Sequence, residues 1–262
     1  MTEPLGAMDA TNYSHALVRP PGLSFAHAIS SAGVSPDVIL ARAQHAQYCQ
    51  ALGEAGLNVE ILPADERYPD SCFVEDPLLV IDGQAVVTRP GVLSRQGEEV
   101  SLGEAVKGRF PTETIQAPGT LEGGDVLHLP GRVLVGLSAR TNQSGIEQLS
   151  RILAAQGLAV EALPVTGYLH LLSAVAYLGK GVLLAVAGFA ENPAFSGLDV
   201  LSVPAEESYA ANALAIGNEV ILPEGYPLTA ELIRSKGFKI RPVPVSQFAA
   251  ADGGVSCLSV LW

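Results

Sequence analysis

Five times along this chain a short β-like segment runs into a proline, and a loop bearing polar or ionisable residues follows. The segments are Val59-Glu60-Ile61-Leu62-Pro63, Thr114-Ile115-Gln116-Ala117-Pro118, Val160-Glu161-Ala162-Leu163-Pro164, Val200-Leu201-Ser202-Val203-Pro204 and Ile240-Arg241-Pro242-Val243-Pro244. Upstream of several lies a helical stretch closed by glycine, the residue favoured just past a helix end. Examples are Ala41 to Ala55 before Gly56, Gly145 to Gln156 before Gly157, and Thr229 to Lys236 before Gly237. Downstream of most lies an apolar strand, such as Val126 to Leu129 or Val255 to Leu261, and often a second strand after a short turn, as in Arg132 to Gly136. Units of this size cannot each bury an apolar face alone, so the five are expected to pack on one another. Closing them into a ring brings the loops after the prolines to a common axis. Residues 1–262 are expected to form one domain, with 1–12 as a frayed tail.

Composition narrows the function. Apolar residues make up 48% of the chain and charged ones 16%, which predicts a large core and no disorder. Fifteen basic against 27 acidic residues leave a net charge of −12, which argues against nucleic acid and anionic membrane surfaces as partners. The longest apolar run, Gly181 to Ala190, is about half of what a membrane span needs. Met1-Thr2-Glu3-Pro4 lacks the features of a signal peptide. Three cysteines, Cys49, Cys72 and Cys257, cannot all pair within the chain, so a reduced, cytoplasmic protein is expected.

The post-proline loops hold the chemistry. After Pro63, five carboxylates fall between Ala64 and Asp76. Asp65 and Glu66 fit a solvated loop, whereas Glu75 and Asp76 interrupt an apolar stretch, where carboxylates need compensation. After Pro118 comes Glu122-Gly123-Gly124-Asp125, in which glycines let the backbone approach a neighbour closely; Asp125 also fits a simple turn. His170 is the one polar side chain in its apolar run, and Cys257 sits at the edge of the last one; either alone fits a core residue. The loop after Pro204, with Glu206 and Glu207, fits carboxylates at a helix start.

In a ring, one centre receives carboxylates from two units, an imidazole from a third and a thiol from the last. Cysteine, histidine and carboxylate supply a nucleophile, a proton-transfer group and an orienter. Few cations lie near the extra carboxylates in sequence, so a cationic substrate is expected, and a planar guanidinium suits carboxylate pairs. Its charge would also help to form the thiolate. No metal-ligand spacing and no dinucleotide fingerprint occurs, so no metal and no cofactor are expected.

Taken in order, the motifs resemble the dimethylarginine dimethylaminohydrolases, within the guanidine-modifying (pentein) superfamily. The resemblance runs from about Leu17 to the end. Its pieces include Leu62-Pro63-Ala64-Asp65-Glu66, Pro69-Asp70-Ser71, Phe73-Val74-Glu75-Asp76, Ser94-Arg95, Glu122-Gly123-Gly124-Asp125, Ser138-Ala139-Arg140-Thr141-Asn142, Leu169-His170-Leu171 and Asp252-Gly253-Gly254-Val255-Ser256-Cys257. It implies an α/β fold, a five-bladed α/β propeller of ββαβ-type repeats with pseudo-fivefold symmetry. The implied reaction converts N-omega-methylated arginine to citrulline and a methylamine through a covalent S-alkylthiouronium on Cys257. His170 would handle protons and Glu122 would orient it. Asp76, with Glu75 beside it, would hold the guanidinium. Arg95 and Arg140 would bind the substrate carboxylate and Asp70 its α-amino group. Phe73 and Ser256 would line the site, and the loop around Ile29 would act as a lid. The expected partner is a small guanidinium amino acid; a homodimer stays open. The family often carries lysine two residues after the histidine, and Leu172 stands here. Arginine or agmatine deiminase activity and non-catalytic arginine binding are the alternatives.

Overall fold

The computed structural model describes residues 10–262. Most of the expected tail lies outside the described residues. Residues 10–12 are not frayed: Thr11 is buried, and its carbonyl accepts a bond from the Gly217 N–H at 2.9 Å.

The strands group into five three-stranded sheets. The first joins β15 (Ser259–Leu261), β1 (His15–Val18) and β2 (Asn58–Ile61). The second and third are β3 (Leu78–Ile81), β4 (Gln84–Val87) and β5 (Thr112–Thr114), then β6 (Val126–Leu129), β7 (Arg132–Leu137) and β8 (Ala159–Pro164). The fourth and fifth are β9 (Val175–Gly179), β10 (Val182–Val186) and β11 (Asp199–Val203), then β12 (Leu214–Ile216), β13 (Glu219–Pro223) and β14 (Lys239–Val243). In every sheet the middle strand runs antiparallel to the first and parallel to the third. A parallel neighbour demands a crossover, and a helical connection supplies it each time. These are α1 (Val38–Glu54), α2 (Glu98–Val106), α3 (Gln143–Leu153), the short α4 (Ala187–Ala190) and α5 (Pro227–Ser235); α6 (Ser246–Ala249) precedes Cys257.

The side chains explain the layering. The middle strands β4 and β10 are buried at every position, as strands covered on both faces must be, and β1, β7 and β13 are buried at all but their end residues. Third strands form the outer edge and are more polar; Thr112, Glu113 and Thr114 of β5 are all exposed. Proline suits such an edge, where a missing N–H does no harm. The expected segment from Thr114 to Pro118 is a strand only at its first residue, and the Val255–Leu261 strand begins at Ser259 after a 3-10 turn. The run Gly181 to Ala190 is β10 and α4, and among the described residues no helix is long and apolar enough to cross a membrane.

Each sheet shares an apolar cluster with the next. Leu79 and Val86 of the second sheet pack with Val126 and Val133 of the third. Leu134 of the third packs with Val175 and Leu184 of the fourth, and these with Val220 of the fifth. Ile221 and Val243 of the fifth pack with Ala16 and Val18 of the first, and Leu17 and Val260 of the first with Leu78 of the second. The loop leaving each third strand therefore feeds the next sheet, and these loops carry the carboxylates, His170 and Cys257.

Candidate active site

The loop between β2 and β3 delivers two neighbouring carboxylates in different directions. Asp76 is buried and its Oδ2 accepts from Arg95 Nη1 at 2.6 Å, while Oδ1 accepts from the Gly124 N–H at 3.1 Å. Glu75 turns the other way, to Ser256 Oγ at 2.9 Å. The β5–β6 loop places Glu122, fully buried, with Oε2 2.6 Å from His170 Nε2. Glu122 also accepts from the Gly91 N–H at 2.9 Å and lies 3.4 Å from Arg140 Nη1. The two glycines after Glu122 are there for proximity. A Cβ on Gly123 would fall 2.0 Å from the Glu75 carbonyl, and one on Gly124 would fall 2.7 Å from His170 Nδ1.

His170, 4% exposed, stands among anions. Its Nδ1 lies 3.9 Å from Asp76 Oδ1, opposite the contact to Glu122. Burial alone would lower its pKa; Asp76, Glu122 and Asp125 outweigh burial and raise it to about 9. The ring is therefore cationic at neutral pH, with a proton to give. Asp125 is no mere turn residue: it is buried and accepts from Ser138 Oγ at 2.6 Å and from the Leu171 N–H at 2.9 Å, which fixes the segment bearing His170.

Cys257 Sγ faces the same centre and lies 3.4 Å from the Gly254 N–H. Burial, then Glu75 and Asp76, push the thiol well above its ordinary pKa. In the free protein the sulfur stays protonated, and an added cation would lower the cost of ionising it.

These groups surround one narrow cavity of about 20 Å³, space for a water molecule. Asp76, Arg95, Arg140, His170 and Cys257 line it, with Ile29, Asp70 and Phe73. A wider cavity of about 460 Å³ adjoins it, sharing Leu169, Asp252, Gly253 and Cys257. The Ile29 loop closes over the centre: the Ile29 N–H donates to Asp70 Oδ1 at 3.1 Å, and Ser31 donates to Asp252 through its N–H at 2.6 Å and its hydroxyl at 2.7 Å.

Two expectations change. The acidic cluster does not lack an internal cation. Arg95 is buried and donates to Asp76, to Glu98 (Nη2–Oε2 2.8 Å) and to the Phe73 carbonyl (3.3 Å). Burial opposes that charge, but Glu98 and Asp76 outweigh it and hold Arg95 firmly protonated. Glu98, 1% exposed, was not apparent from sequence because it reads as an ordinary first-turn helix carboxylate; burial raises its pKa to about 7 against the pull of Arg95. Secondly, Glu75 and Ser256 line a different cavity, of about 130 Å³, shared with Leu172 and the first strands of the sheets.

A metal would find few free ligands here. Donor atoms of Asp76, Glu122 and His170 lie within 4.8 Å of one another, but both carboxylates are already engaged by Arg95, Arg140 and backbone N–H groups.

Comparison with known proteins decides the family. A family model described as "N,N dimethylarginine dimethylhydrolase, eukaryotic" matches residues 32–221. The N(G),N(G)-dimethylarginine dimethylaminohydrolase of Pseudomonas aeruginosa is 39% identical over 251 residues, covering 95% of this chain and 99% of the relative. This chain belongs to the dimethylarginine dimethylaminohydrolase family. A family member from Streptomyces coelicolor is 38% identical over 223 residues, covering 84% of this chain and 85% of its own. The crystal structure of a cysteine-to-serine mutant of the P. aeruginosa enzyme with citrulline superposes with a TM-score of 0.94 at 38% identity, over 96% of this chain and all of that one. The N-terminal domain of ArgZ, described as an arginine dihydrolase from cyanobacteria, matches at a TM-score of 0.86 and 20% identity, a likeness of fold.

Proposed function

We propose that this chain hydrolyses N-omega-methylated arginine to citrulline and a methylamine, as its family membership and its site chemistry together indicate. The observation that carries the reading is the convergence of the Cys257 thiol, the His170–Glu122 pair and the Asp76 carboxylate on one narrow cavity that Arg140 and Asp70 also line. Five ββαβ blades, each packed on the next and the fifth on the first, form a propeller in a single domain, and the site occupies one end of its axis. With three free cysteines, the enzyme suits the reducing cytoplasm.

The steps follow from charge. The substrate guanidinium settles beside Asp76, and its positive charge offsets the anions that keep Cys257 protonated. The thiol releases its proton to solvent through the adjoining wider cavity, and Sγ bonds to the guanidinium carbon. His170 donates its proton to the methylamine nitrogen as the C–N bond breaks, leaving an S-alkylthiouronium on Cys257. The imidazole, now neutral, takes a proton from water as that water attacks the same carbon, and the C–S bond breaks as the second water proton passes to the sulfur, releasing citrulline and restoring the thiol. Glu122 holds the imidazole in place throughout. Arg140, only loosely engaged by Glu122, takes the substrate carboxylate, with Arg95 supporting Asp76 from beneath. Asp70 takes the α-amino group under the Ile29 lid.

The test combines two measurements. Protein quenched during turnover of dimethylarginine should carry a mass adduct on the Cys257 peptide, and amine analysis should find dimethylamine. Ammonia released from arginine or agmatine in its place would make this a deiminase, and turnover that survives Cys257→Ser would end thiol catalysis.

A further inference from the structure

We propose that Glu75, Ser256 and Asn212 form a hydrogen-bond relay that positions and stabilises the Cys257 thiolate, with Glu75 acting as a neutral acid and not as a ligand for the substrate cation. The proposal rests on Cys257 being the nucleophile, and it gives a positioning role to two residues that the family resemblance places against the substrate.

The geometry is directional. The Ser256 N–H donates to Asn212 Oδ1 at 3.1 Å, which fixes which end of the amide faces Ser256. Asn212 Nδ2 therefore donates, to Ser256 Oγ at 3.0 Å and to the Leu172 carbonyl at 3.0 Å. Ser256 Oγ lies 2.9 Å from Glu75 Oε2 on one side and 4.0 Å from Cys257 Sγ on the other. Ser256 and Asn212 are both buried, and their bonds to one another and to Glu75 fix the orientation of hydroxyl and amide. A second amide constraint holds the arrangement: a Cβ on Gly254 would fall 2.2 Å from Asn212 Oδ1.

A serine hydroxyl has one hydrogen and two lone pairs. If Glu75 carries a proton, it donates to Ser256 Oγ, Asn212 fills the second lone pair, and the single hydroxyl hydrogen turns to the sulfur. The thiolate then has two donors, Ser256 O–H and Gly254 N–H, fixed before the reaction. If Glu75 is ionised, the hydroxyl hydrogen turns back to the carboxylate, and the sulfur exchanges a donor for another nearby anion.

The surroundings favour the neutral acid. The titratable groups acting on Glu75 and those it acts on are Asp76, His170, Cys257 and Tyr48. Of these only His170 is cationic, and it is already shared by Asp76 and Glu122. Glu75 shares its cavity with the apolar Leu172. Burial, then Asp76, raise the Glu75 pKa to about 8.

The experiment follows alkylation of Cys257 by iodoacetamide, read by mass spectrometry of its own peptide so that Cys49 and Cys72 do not interfere, from pH 6 to 10, alongside kcat. Ser256→Ala should slow alkylation about tenfold at pH 7, the scale of one hydrogen bond to a charged group, and Glu75→Ala should slow it less, because the Ser256 hydroxyl keeps its hydrogen but loses the donor that orients it. Glu75→Gln supplies an N–H where the acid supplied O–H, and should recover most of that rate; Ser256→Thr should do the same for Ser256→Ala. Above pH 8 the wild-type rate should lag increasingly behind Glu75→Gln, which cannot ionise. The proposal is overturned if Glu75→Gln is as impaired as Glu75→Ala, or if Ser256→Ala alkylates at the wild-type rate. Alkylation needs no substrate, so a protein that shows this pattern yet releases no amine from any methylated arginine would remove the functional reading and leave the relay standing.

Discussion

Single residues in this site are placed by what lies against them. Gly124 is the clearest case, since its missing Cβ makes room for both His170 Nδ1, at 2.7 Å, and Asp76 Oδ1, at 3.0 Å. Gly124→Ala should push the imidazole off the line joining Asp76 and Glu122, and kcat should fall about 100-fold, the usual cost of an ångström of misplacement. Circular dichroism should show the fold retained, because the added methyl meets movable side-chain atoms. An unchanged kcat would mean that His170 tolerates a wider range of positions than the packing implies. The sequence pattern Glu-Gly-Gly-Asp announces a close approach, but not what approaches. Arg95 and Glu98 show the complementary limit. Nothing in their spacing says that the pair is buried, because burial comes from the β3 and β4 strands onto which α2 is packed.

At the scale of elements, chain segments from different units fasten one another. Glu207, in the loop after β11, accepts from the Leu228 and Thr229 N–H groups at 3.0 and 2.6 Å, capping α5 in the next unit. Carboxylates near a helix start are legible in the sequence there, but the helix they serve lies some twenty residues on, because the loop folds back. The Ile29 loop is fastened similarly. Ser31 and Asp252 join the Ile29 loop to the segment that leads to Cys257. Asp252 holds a left-handed φ of 58°, which Asn tolerates better than most residues. Asp252→Asn should therefore keep the backbone while replacing two charge-assisted bonds with weaker ones. Steady-state kinetics should show KM raised about threefold to tenfold, on the order of one hydrogen bond, with the melting temperature little moved. A lowered KM would mean that the latch hinders entry more than it retains substrate.

For the whole molecule, the repeat of strand, proline and loop is enough to suggest five units and a common centre, because a period repeated through the chain survives errors at any one boundary. What the repeat does not reveal is the charge balance of that centre, which depends on burial, and burial fixes how stability responds to pH. His170 has a folded pKa of about 9 against an ordinary 6.5, so its stabilising contribution is full below about pH 6.5 and is lost as pH rises through 9. Glu98 and Glu75 are raised to about 7 and about 8 from an ordinary 4.5. Their contributions are likewise full at low pH and are lost as pH rises through those values. Asp76 is lowered below its ordinary pKa, its burial outweighed by His170 and Arg95, so its contribution disappears only in acid below about pH 4. Burial lowers His45, to about 4, and His128, and their opposing contribution grows only up to about pH 6.5, so above that pH the losses at His170, Glu98 and Glu75 stand unopposed. Denaturant midpoints measured in steps from pH 4 to 9.5 should fall continuously above about pH 6.5, and Glu75→Gln should flatten that fall up to about pH 8. A midpoint that rises from pH 6 to 9 would show that the buried acids ionise freely in the folded protein, and that the centre holds more compensating charge than Arg95, Arg140 and His170 provide.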